Sequence, residues 1–348
     1  MSEKQDGVDL KGLIAKVVEG AHLSPEEAEA AFDCFMAGSA TQIEMAGLLV
    51  GLRTKGVQPK EVAAGVRSLR KAMVPVWSAD PSVLVDTAGT GGGAVTTFNI
   101  STAAALVAAG AGVSMAKHGN RSFTSRCGSA DVLEALGVAI DLTPERMAEV
   151  LAEAGIVFMF APLLHPAMRH VGPVRRGLGI TTVMNVLGPL TNPAGAQRQV
   201  IGVADPRLID LVAETLRELG HLRALVVHGE PGMDEISPSG STHVAELTEA
   251  GLTRSTVTPE QLGLERADPA SLAGGDPSDN AVVIERILDG EQGGRRTAVV
   301  MNAAAAIFVG GTVASLEEGV RMAEASIDGG AAAGSLQLLR DVSNAPSG

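Results

Sequence analysis

From Val83 to Val227, short apolar runs alternate with longer stretches rich in Ala and Leu, and this alternation constrains the fold more than any other feature. Each run has the length of a β-strand, and each following stretch has the length and composition of an α-helix. The runs cover residues 83–85, 113–116, 156–160, 200–203 and 224–227. The pattern predicts an α/β domain with a mostly parallel central sheet flanked by helices. Parallel strands end at a common edge, where such folds bind ligands.

The N-terminal part of the chain has a purely helical pattern. Capping boxes at Ser24 and Thr41 and a proline at position 59 mark the starts of three helices. The predicted division is a small N-terminal helical domain at residues 1–78, with a helical segment at about 165–195 packed on it, and a larger α/β domain at 79–164 and 196–348. Within the larger domain, residues 241–258 could form a hairpin of two further strands.

Composition narrows the class of protein. The chain has 348 residues, a net charge of −13 and two cysteines, which we interpret as reduced thiols. Its apolar runs are too short to span a membrane, and its polar N-terminus does not resemble a signal peptide. We therefore expect a cytoplasmic protein with no membrane partner. We expect no nucleic-acid partner either, because an acidic protein repels polyanions.

Two long segments, 87–130 and 154–204, contain no Asp or Glu. In an acidic protein, such segments are expected to concentrate a small anion. The alternative is that they are simply apolar core. Their cations are Lys117, Arg121, Arg126, Arg169, Arg175, Arg176 and Arg198.

The strongest local motif is the glycine loop from Gly89 to Gly93, which lies between a predicted strand and a predicted helix. Backbone N–H groups of such a loop, with the helix N-terminus behind them, can bind a phosphate. Asn99, Ser101 and Thr102 could add side-chain hydrogen bonds. The loop is neither a dinucleotide fingerprint nor a Walker loop, so a structural turn is the alternative interpretation.

A basic segment, Lys117 to Arg126, follows the predicted strand 113–116. It combines cations, one histidine and several hydroxyl groups without a carboxylate, which suits a phosphate-bearing ligand. A solvated basic loop is the alternative.

Asp234 and Glu235 follow the predicted strand 224–227. Adjacent carboxylates in a turn can hold Mg²⁺, although such a pair in isolation is usually surface charge. The histidines lack the spacing of zinc ligands, and no motif for a covalent nucleophile is present.

In their order along the chain, these motifs resemble the anthranilate phosphoribosyltransferase family, enzymes of tryptophan biosynthesis. The resemblance also includes Gly128 to Gly137, His165 to Met168 and Asn185 to Pro193. It implies a glycosyltransferase that moves the 5-phosphoribosyl group from phosphoribosyl pyrophosphate (PRPP) to the amine of anthranilate, giving N-(5-phosphoribosyl)anthranilate and pyrophosphate. It further implies Mg²⁺ as cofactor and a homodimer that associates through the helical domain.

The resemblance also implies which residues form the site. The PRPP-binding residues would be Gly89, Gly92, Gly93, Thr97, Asn99, Ile100, Ser101, Thr102, Lys117, His118, Gly119, Asn120, Arg121, Ser122, Phe123, Thr124, Ser125 and Ser129. The anthranilate-binding residues would be Gly89, His118, Asn120 and Arg175, and the metal-binding residues Ser101, Asp234 and Glu235. No general base is assigned, because an arylamine is already neutral at pH 7.

The chain departs from the usual family pattern at four positions. Gly93 stands where members often have Asp, Thr181 replaces a frequent Arg, and Thr124 and Cys127 stand where Ser is common. Three alternatives remain: a pyrimidine nucleoside phosphorylase of the same fold, a non-enzymatic nucleic-acid-binding relative, and a phosphoribosyltransferase with another acceptor.

Overall fold

The computed structural model describes residues 8–122 and 126–346. Ser24 and Thr41 each cap the helix that follows, so both predicted capping boxes are present. Pro59 is the first residue of the fourth helix, where its missing N–H costs no hydrogen bond. The N-terminal helices are α1 (Leu10–Val18), α2 (Pro25–Ala37), α3 (Gln42–Lys55) and α4 (Pro59–Ala72).

The rest of the chain is built around one seven-stranded sheet with the order β3-β2-β1-β4-β5-β6-β7. Its strands are β1 (Val85–Gly89), β2 (Met115–Gly119), β3 (Ile156–Phe160), β4 (Arg198–Gly202), β5 (Arg223–Gly229), β6 (Thr242–Thr248) and β7 (Gly251–Val257). The first five strands pair in parallel, and β6 and β7 extend the sheet in antiparallel pairing. The predicted mostly parallel sheet is therefore confirmed.

The other helices follow in the chain after β1, and several of them pack on the sheet. They are α5 (Ile100–Gly110), α6 (Ser129–Ala135), α7 (Pro144–Ala154), α8 (Ala161–Leu164), α9 (Met168–Leu178), α10 (Met184–Leu187), α11 (Leu208–Glu218), α12 (Pro277–Leu288), α13 (Gly294–Gly310), α14 (Leu316–Asp328) and α15 (Ala331–Asn344). The alanine-rich α5 and α13 are almost entirely buried, and their small side chains let both lie close to the sheet. Across residues 8–122 and 126–346, no helix has the length and hydropathy that a membrane span requires.

The N-terminal helices share a hydrophobic core with one face of the sheet. Leu48 and Val66 belong to the same buried cluster as Ile201 and Val226 of β4 and β5, with Val212 of α11 between them. The cluster also includes residues 171 and 174 of α9, which contacts α2 and α3. The segment expected at about 165–195 thus lies against the N-terminal helices.

The connections between these helices and the sheet run side by side. The backbone N–H of Val74 donates to the carbonyl of Leu164 at 2.8 Å, and the N–H of Val76 donates to the carbonyl of Pro193 at 3.0 Å. Residues 74–76, which connect α4 to the sheet, are therefore hydrogen-bonded to both of the other connections, at residues 164 and 193.

Two strands lie about two residues later along the chain than the apolar runs predicted. Residues 81–83 form a 3-10 turn, and β1 and β2 continue through residues that the sequence analysis placed in loops. Asp86, Lys117 and His118 are consequently strand residues. The solvated-loop alternative is wrong for Lys117, whose side chain is buried.

Candidate active site

The candidate site lies where β1, β2, β4 and β5 end, because the predicted motifs follow these neighbouring strands. The glycine loop runs from the end of β1 toward Asn99, the residue before α5. Gly91 and Gly92 have φ angles of 69° and 78°, a backbone conformation that favours glycine. Within the described residues, the N–H groups of Gly92 and Gly93 have no protein partner, whereas the N–H of Thr90 donates to the carbonyl of Gly202 at 2.9 Å.

Asp234 holds this loop from across the site. Its Oδ2 accepts a hydrogen bond of 2.8 Å from the N–H of Gly91. A Cβ atom on Gly89 would collide with the same oxygen, and a Cβ on Gly202 would collide with the carbonyl oxygen of Asp234. Glycine at positions 89 and 202 therefore allows the acidic turn to sit directly against the loop.

Glu235 joins the same turn to the start of α5. Its Oε1 accepts a hydrogen bond of 3.1 Å from the N–H of Ser101. Burial and the neighbouring Asp234 raise the pKa of Glu235 to about 8, and burial also raises the pKa of Asp234. Two desolvated carboxylates that repel each other are the environment a divalent cation would stabilise.

The donor set around this turn fits Mg²⁺ better than a softer metal. Asp234 and Glu235 offer carboxylate oxygens, and the hydroxyl of Ser101 lies at the same helix start. In the described part of the chain, no group of three or more His, Cys, Asp or Glu side chains could hold a metal. Mg²⁺ suits such a site, because it retains water and takes oxygen ligands from a substrate.

Lys117 reaches the site from β2, beneath the glycine loop. Its Nζ donates to the carbonyl oxygen of Thr87 at 2.7 Å and lies 3.3 Å from the hydroxyl of Ser101. Burial lowers the pKa of Lys117, while the charges of Asp86 and Glu235 oppose that shift. The amine of Lys117 is therefore buried, with a lowered pKa, close to the predicted phosphate and metal sites.

Comparison with known proteins identifies the family of the chain. Residues 81–333 match the glycosyl transferase family a/b domain, and residues 11–73 match the helical bundle domain of the same family. Anthranilate phosphoribosyltransferase from Moorella thermoacetica is 49% identical over 95% of this chain and 97% of its own length. The chain belongs to the anthranilate phosphoribosyltransferase family. The enzyme class and reaction predicted from the sequence are thereby confirmed.

Solved structures of the family agree with the fold. The enzyme from Thermus thermophilus superposes with a TM-score of 0.91 at 44% identity, covering 96% of this chain and 99% of that chain. The Saccharomyces cerevisiae enzyme, in complex with PRPP and Mg, has a TM-score of 0.87 at 27% identity, covering 96% and 97%.

Other predicted residues of this family member have intramolecular partners. Arg121 forms ion pairs with Asp131 at 2.7 Å and Glu134 at 2.5 Å. The carbonyl of Asn120 accepts from the hydroxyl of Ser129 at 3.2 Å. These contacts brace the end of β2 against α6. Phe123, Thr124 and Ser125 lie outside the described residues.

The predicted residues around α5 divide between exposed and buried positions. The side chains of Ile100 and Thr102 are buried. Asn99 accepts a hydrogen bond of 2.9 Å from Asn280 of α12. Gly93 lies against the acidic turn, since a Cβ there would be 2.9 Å from the carbonyl oxygen of Gly232. Thr97 is partly exposed beside this start of α5.

His118 and His165 form a contact that the sequence analysis missed. Their Nε2 atoms lie 3.2 Å apart, and burial is the main cause that lowers the pKa of His118 to about 3 and of His165 to about 4. Both rings are therefore neutral at physiological pH. His165 precedes α9, the helix that carries Arg175.

Arg175 is the candidate cation for the second substrate. Its side chain is half-buried, and burial lowers the pKa of the guanidinium. Within residues 8–122 and 126–346, its guanidinium has no hydrogen-bond or ion-pair partner. A carboxylate ligand would supply both.

Three polar residues behind the site also escaped the sequence analysis. Asp86 and Asn192 are joined by a buried hydrogen bond of 2.8 Å. Asn302 of α13 accepts from the N–H of Ile236, directly after the acidic pair, at 2.9 Å. The sequence does contain a signal for such residues, namely a polar residue within an otherwise apolar run. In a buried helix or strand, that residue requires a hydrogen-bond partner.

Proposed function

We propose that this chain transfers the phosphoribosyl group of PRPP to the amine of anthranilate, with Mg²⁺ as its cofactor. The observation that carries the proposal is the convergence of the glycine loop, Lys117 and the Asp234–Glu235 pair on one edge of the sheet. Sequence separates these motifs widely, and a binding site for a metal-bound polyphosphate explains their meeting.

The proposed PRPP site uses backbone donors more than charged side chains. The N–H groups of Gly92 and Gly93, with the side chain of Asn99 beyond, would hold the pyrophosphate. Thr102 is not expected to contact it, because its side chain is buried and its N–H donates to the carbonyl of Asn99. Lys117 and the segment from Asn120 to Ser122, with Ser129, would hold the ribose phosphate end. Since the backbone donors are fixed before the substrate arrives, they stabilise the charge that develops on the leaving pyrophosphate.

Ser101, Asp234 and Glu235 would hold the Mg²⁺, directly or through water. When bound, the ion supplies positive charge to the departing pyrophosphate. The two carboxylates would position it beside the glycine loop, because Asp234 already contacts the loop and Glu235 already contacts α5. The structure of the yeast relative in complex with PRPP and Mg supports magnesium as the metal.

The acceptor site would be formed by Arg175, His118, Asn120 and Gly89. Arg175 would bind the carboxylate of anthranilate with its planar guanidinium. The neutral His118 ring would line the pocket without repelling this arginine. No strong base is required, since the arylamine lone pair is already available for attack on C1 of the ribose. Catalysis then rests on positioning and on charge stabilisation.

We further propose a cytoplasmic homodimer that associates through the helical domain. Val18 at the end of α1 is 70% exposed, and Ile43 and Val50 of α3 are 85% and 37% exposed. Large apolar side chains exposed on neighbouring helices are typical of an association surface. Sedimentation of the protein and of an Ile43→Lys variant tests this, since only the native surface should give a dimer.

The first experiment is a direct assay. Purified protein is mixed with Mg²⁺, PRPP and anthranilate, and the loss of anthranilate fluorescence is followed, with chelated metal as the control. The proposal predicts a loss that requires both Mg²⁺ and PRPP. If folded protein binds PRPP but leaves anthranilate unchanged, the acceptor is a different amine.

A further inference from the structure

Asp86 is a fully buried carboxylate that lies directly behind the proposed PRPP site. Its Oδ1 accepts a hydrogen bond of 3.1 Å from the N–H of His118, and its Oδ2 accepts one of 2.8 Å from Nδ2 of Asn192. Among the described residues, no lysine, arginine or histidine lies within ion-pair distance of it. The nearest compensating charge is the ammonium of Lys117, which acts on it at longer range.

Asn192 is buried, and both ends of its side-chain amide are hydrogen-bonded. Its Nδ2 donates to Asp86 and also to the carbonyl of Ala116 at 2.8 Å, while its Oδ1 accepts from the N–H of Ala194 at 2.9 Å. Asn192 therefore contacts the residue just before Lys117. It also precedes Pro193, whose carbonyl accepts the hydrogen bond from the connection that leaves α4.

We propose that Asp86 and Asn192 form a buried positioning pair that fixes the Ala116–His118 backbone. The pair touches neither substrate. It acts through the end of β2, from which Lys117 extends toward the phosphates and His118 toward the acceptor. This inference rests on the proposed function.

A purely structural role would not require a carboxylate at position 86. Burial of an unpaired carboxylate is costly, and an asparagine could accept one of the two hydrogen bonds without that cost. Glu61, another buried carboxylate, has Lys55 at 2.7 Å. Only a carboxyl group can accept from both the N–H of His118 and Nδ2 of Asn192, so we explain Asp86 by the strand end that these two bonds hold in place.

The test compares Asp86→Asn, the exchange variant Asp86→Asn with Asn192→Asp, and Glu61→Gln as a matched buried-carboxylate control. For each full-length protein we would measure Mg-dependent PRPP binding by calorimetry, KM for both substrates, and the melting temperature. An asparagine at position 86 can accept from only one of the two donors, so Asp86→Asn should raise KM for PRPP about 10-fold or more, and KM for anthranilate as well, because the same strand end carries Lys117 and His118. The exchange variant should recover only part of the PRPP affinity, since it restores the hydrogen bond between the two side chains but loses the donor to the carbonyl of Ala116.

Glu61→Gln should lower the melting temperature and leave both KM values unchanged. The inference is overturned if Asp86→Asn binds PRPP like the unmodified protein, or if it lowers the melting temperature and leaves both KM values unchanged. If Asp86→Asn fails to fold, the exchange variant and Asn192→Ala decide on the same criteria. Calorimetry separates this from a failure of the proposed function, because PRPP binding is measured without any acceptor.

Discussion

Two buried lysines occupy contrasting surroundings in this molecule. In the helical part, Lys55 lies 2.7 Å from Glu61, and their side chains are only 2% and 1% exposed. Glu61 also accepts hydrogen bonds from the backbone of Leu23 and Gln58. At the sheet edge, Lys117 instead contacts a carbonyl and hydroxyl groups, while the nearby carboxylates bind backbone N–H groups.

The difference separates a structural ion pair from a binding site. Lys55 and Glu61 neutralise each other at hydrogen-bond distance, so they stabilise the fold as it stands. The cluster around Lys117 contains charges that are desolvated but not paired, and a ligand must complete it. Such clusters reduce the stability of the free protein, and that cost is typical of functional sites.

The largest expected effect comes from removing the acidic pair. Asp234→Ala with Glu235→Ala should lower kcat/KM by about 1000-fold, because a bound metal contributes several kcal/mol to charge stabilisation. The lost hydrogen bonds to Gly91 and Ser101 and the relieved repulsion act in opposite directions, so the melting temperature of the metal-free protein should fall less than in the Glu61 variant below. Activity as a function of Mg²⁺ and melting without it test both points. An unchanged metal requirement would place the metal elsewhere.

The ion pair in the helical part should show the opposite behaviour. Glu61→Ala leaves Lys55 buried without its partner, which should cost about 3–5 kcal/mol of unfolding free energy. Since Glu61 belongs to α4 in the helical part and not to the candidate site at the sheet edge, KM for both substrates should not change. Urea denaturation and steady-state kinetics measure the two quantities. If the variant were as stable as the unmodified protein but had a raised KM for PRPP, Glu61 would contribute to substrate binding and not to stability.

Elements were easier to predict from the sequence than buried contacts. The capping boxes at Ser24 and Thr41, the parallel strands and the β6–β7 hairpin follow local patterns that the structure retains. Strand ends were less certain, because apolar periodicity does not show that Asp86 and Lys117 can be buried within strands. Their burial depends on partners that only the assembled sheet brings together.

The site shows the same limit. The glycine loop and the acidic turn were each recognisable, and Gly89 could be linked to phosphate binding from its position alone. The 2.8 Å contact between Gly91 and Asp234 joins residues 143 positions apart, and no local pattern encodes it. Likewise, His165 is close to His118 because α8 follows the strand next to β2.

Arg175 extends the comparison, because it is a half-buried cation that, like Lys117 and unlike Lys55, has no ion-pair partner among the described residues. Arg175→Ala should raise KM for anthranilate about 10- to 100-fold, the loss expected from a charge-assisted hydrogen bond of about 1.5–3 kcal/mol. KM for PRPP should change far less. Arg176→Ala is the matched control, since it removes an exposed arginine from the same helix. Equal effects on both substrates would contradict the assignment.

The dependence of stability on acid pH also compares the candidate site, with His118 and His165, with His221 outside it. The expected effect per residue is smaller than those above. Burial lowers the pKa of His118 to about 3, and of His165 and His221 to about 4, so all three are neutral when folded. The unfolded chain takes up protons near pH 6.5 and the folded chain does not, so stability falls as the pH drops below 6.5. Each histidine should remove about 2 kcal/mol by about pH 5. Denaturation across this range checks the loss, and a constant stability would contradict it.

His221→Leu should lessen the pH dependence without changing either KM, because His221 follows α11 beside Arg70 of α4 rather than at the sheet edge.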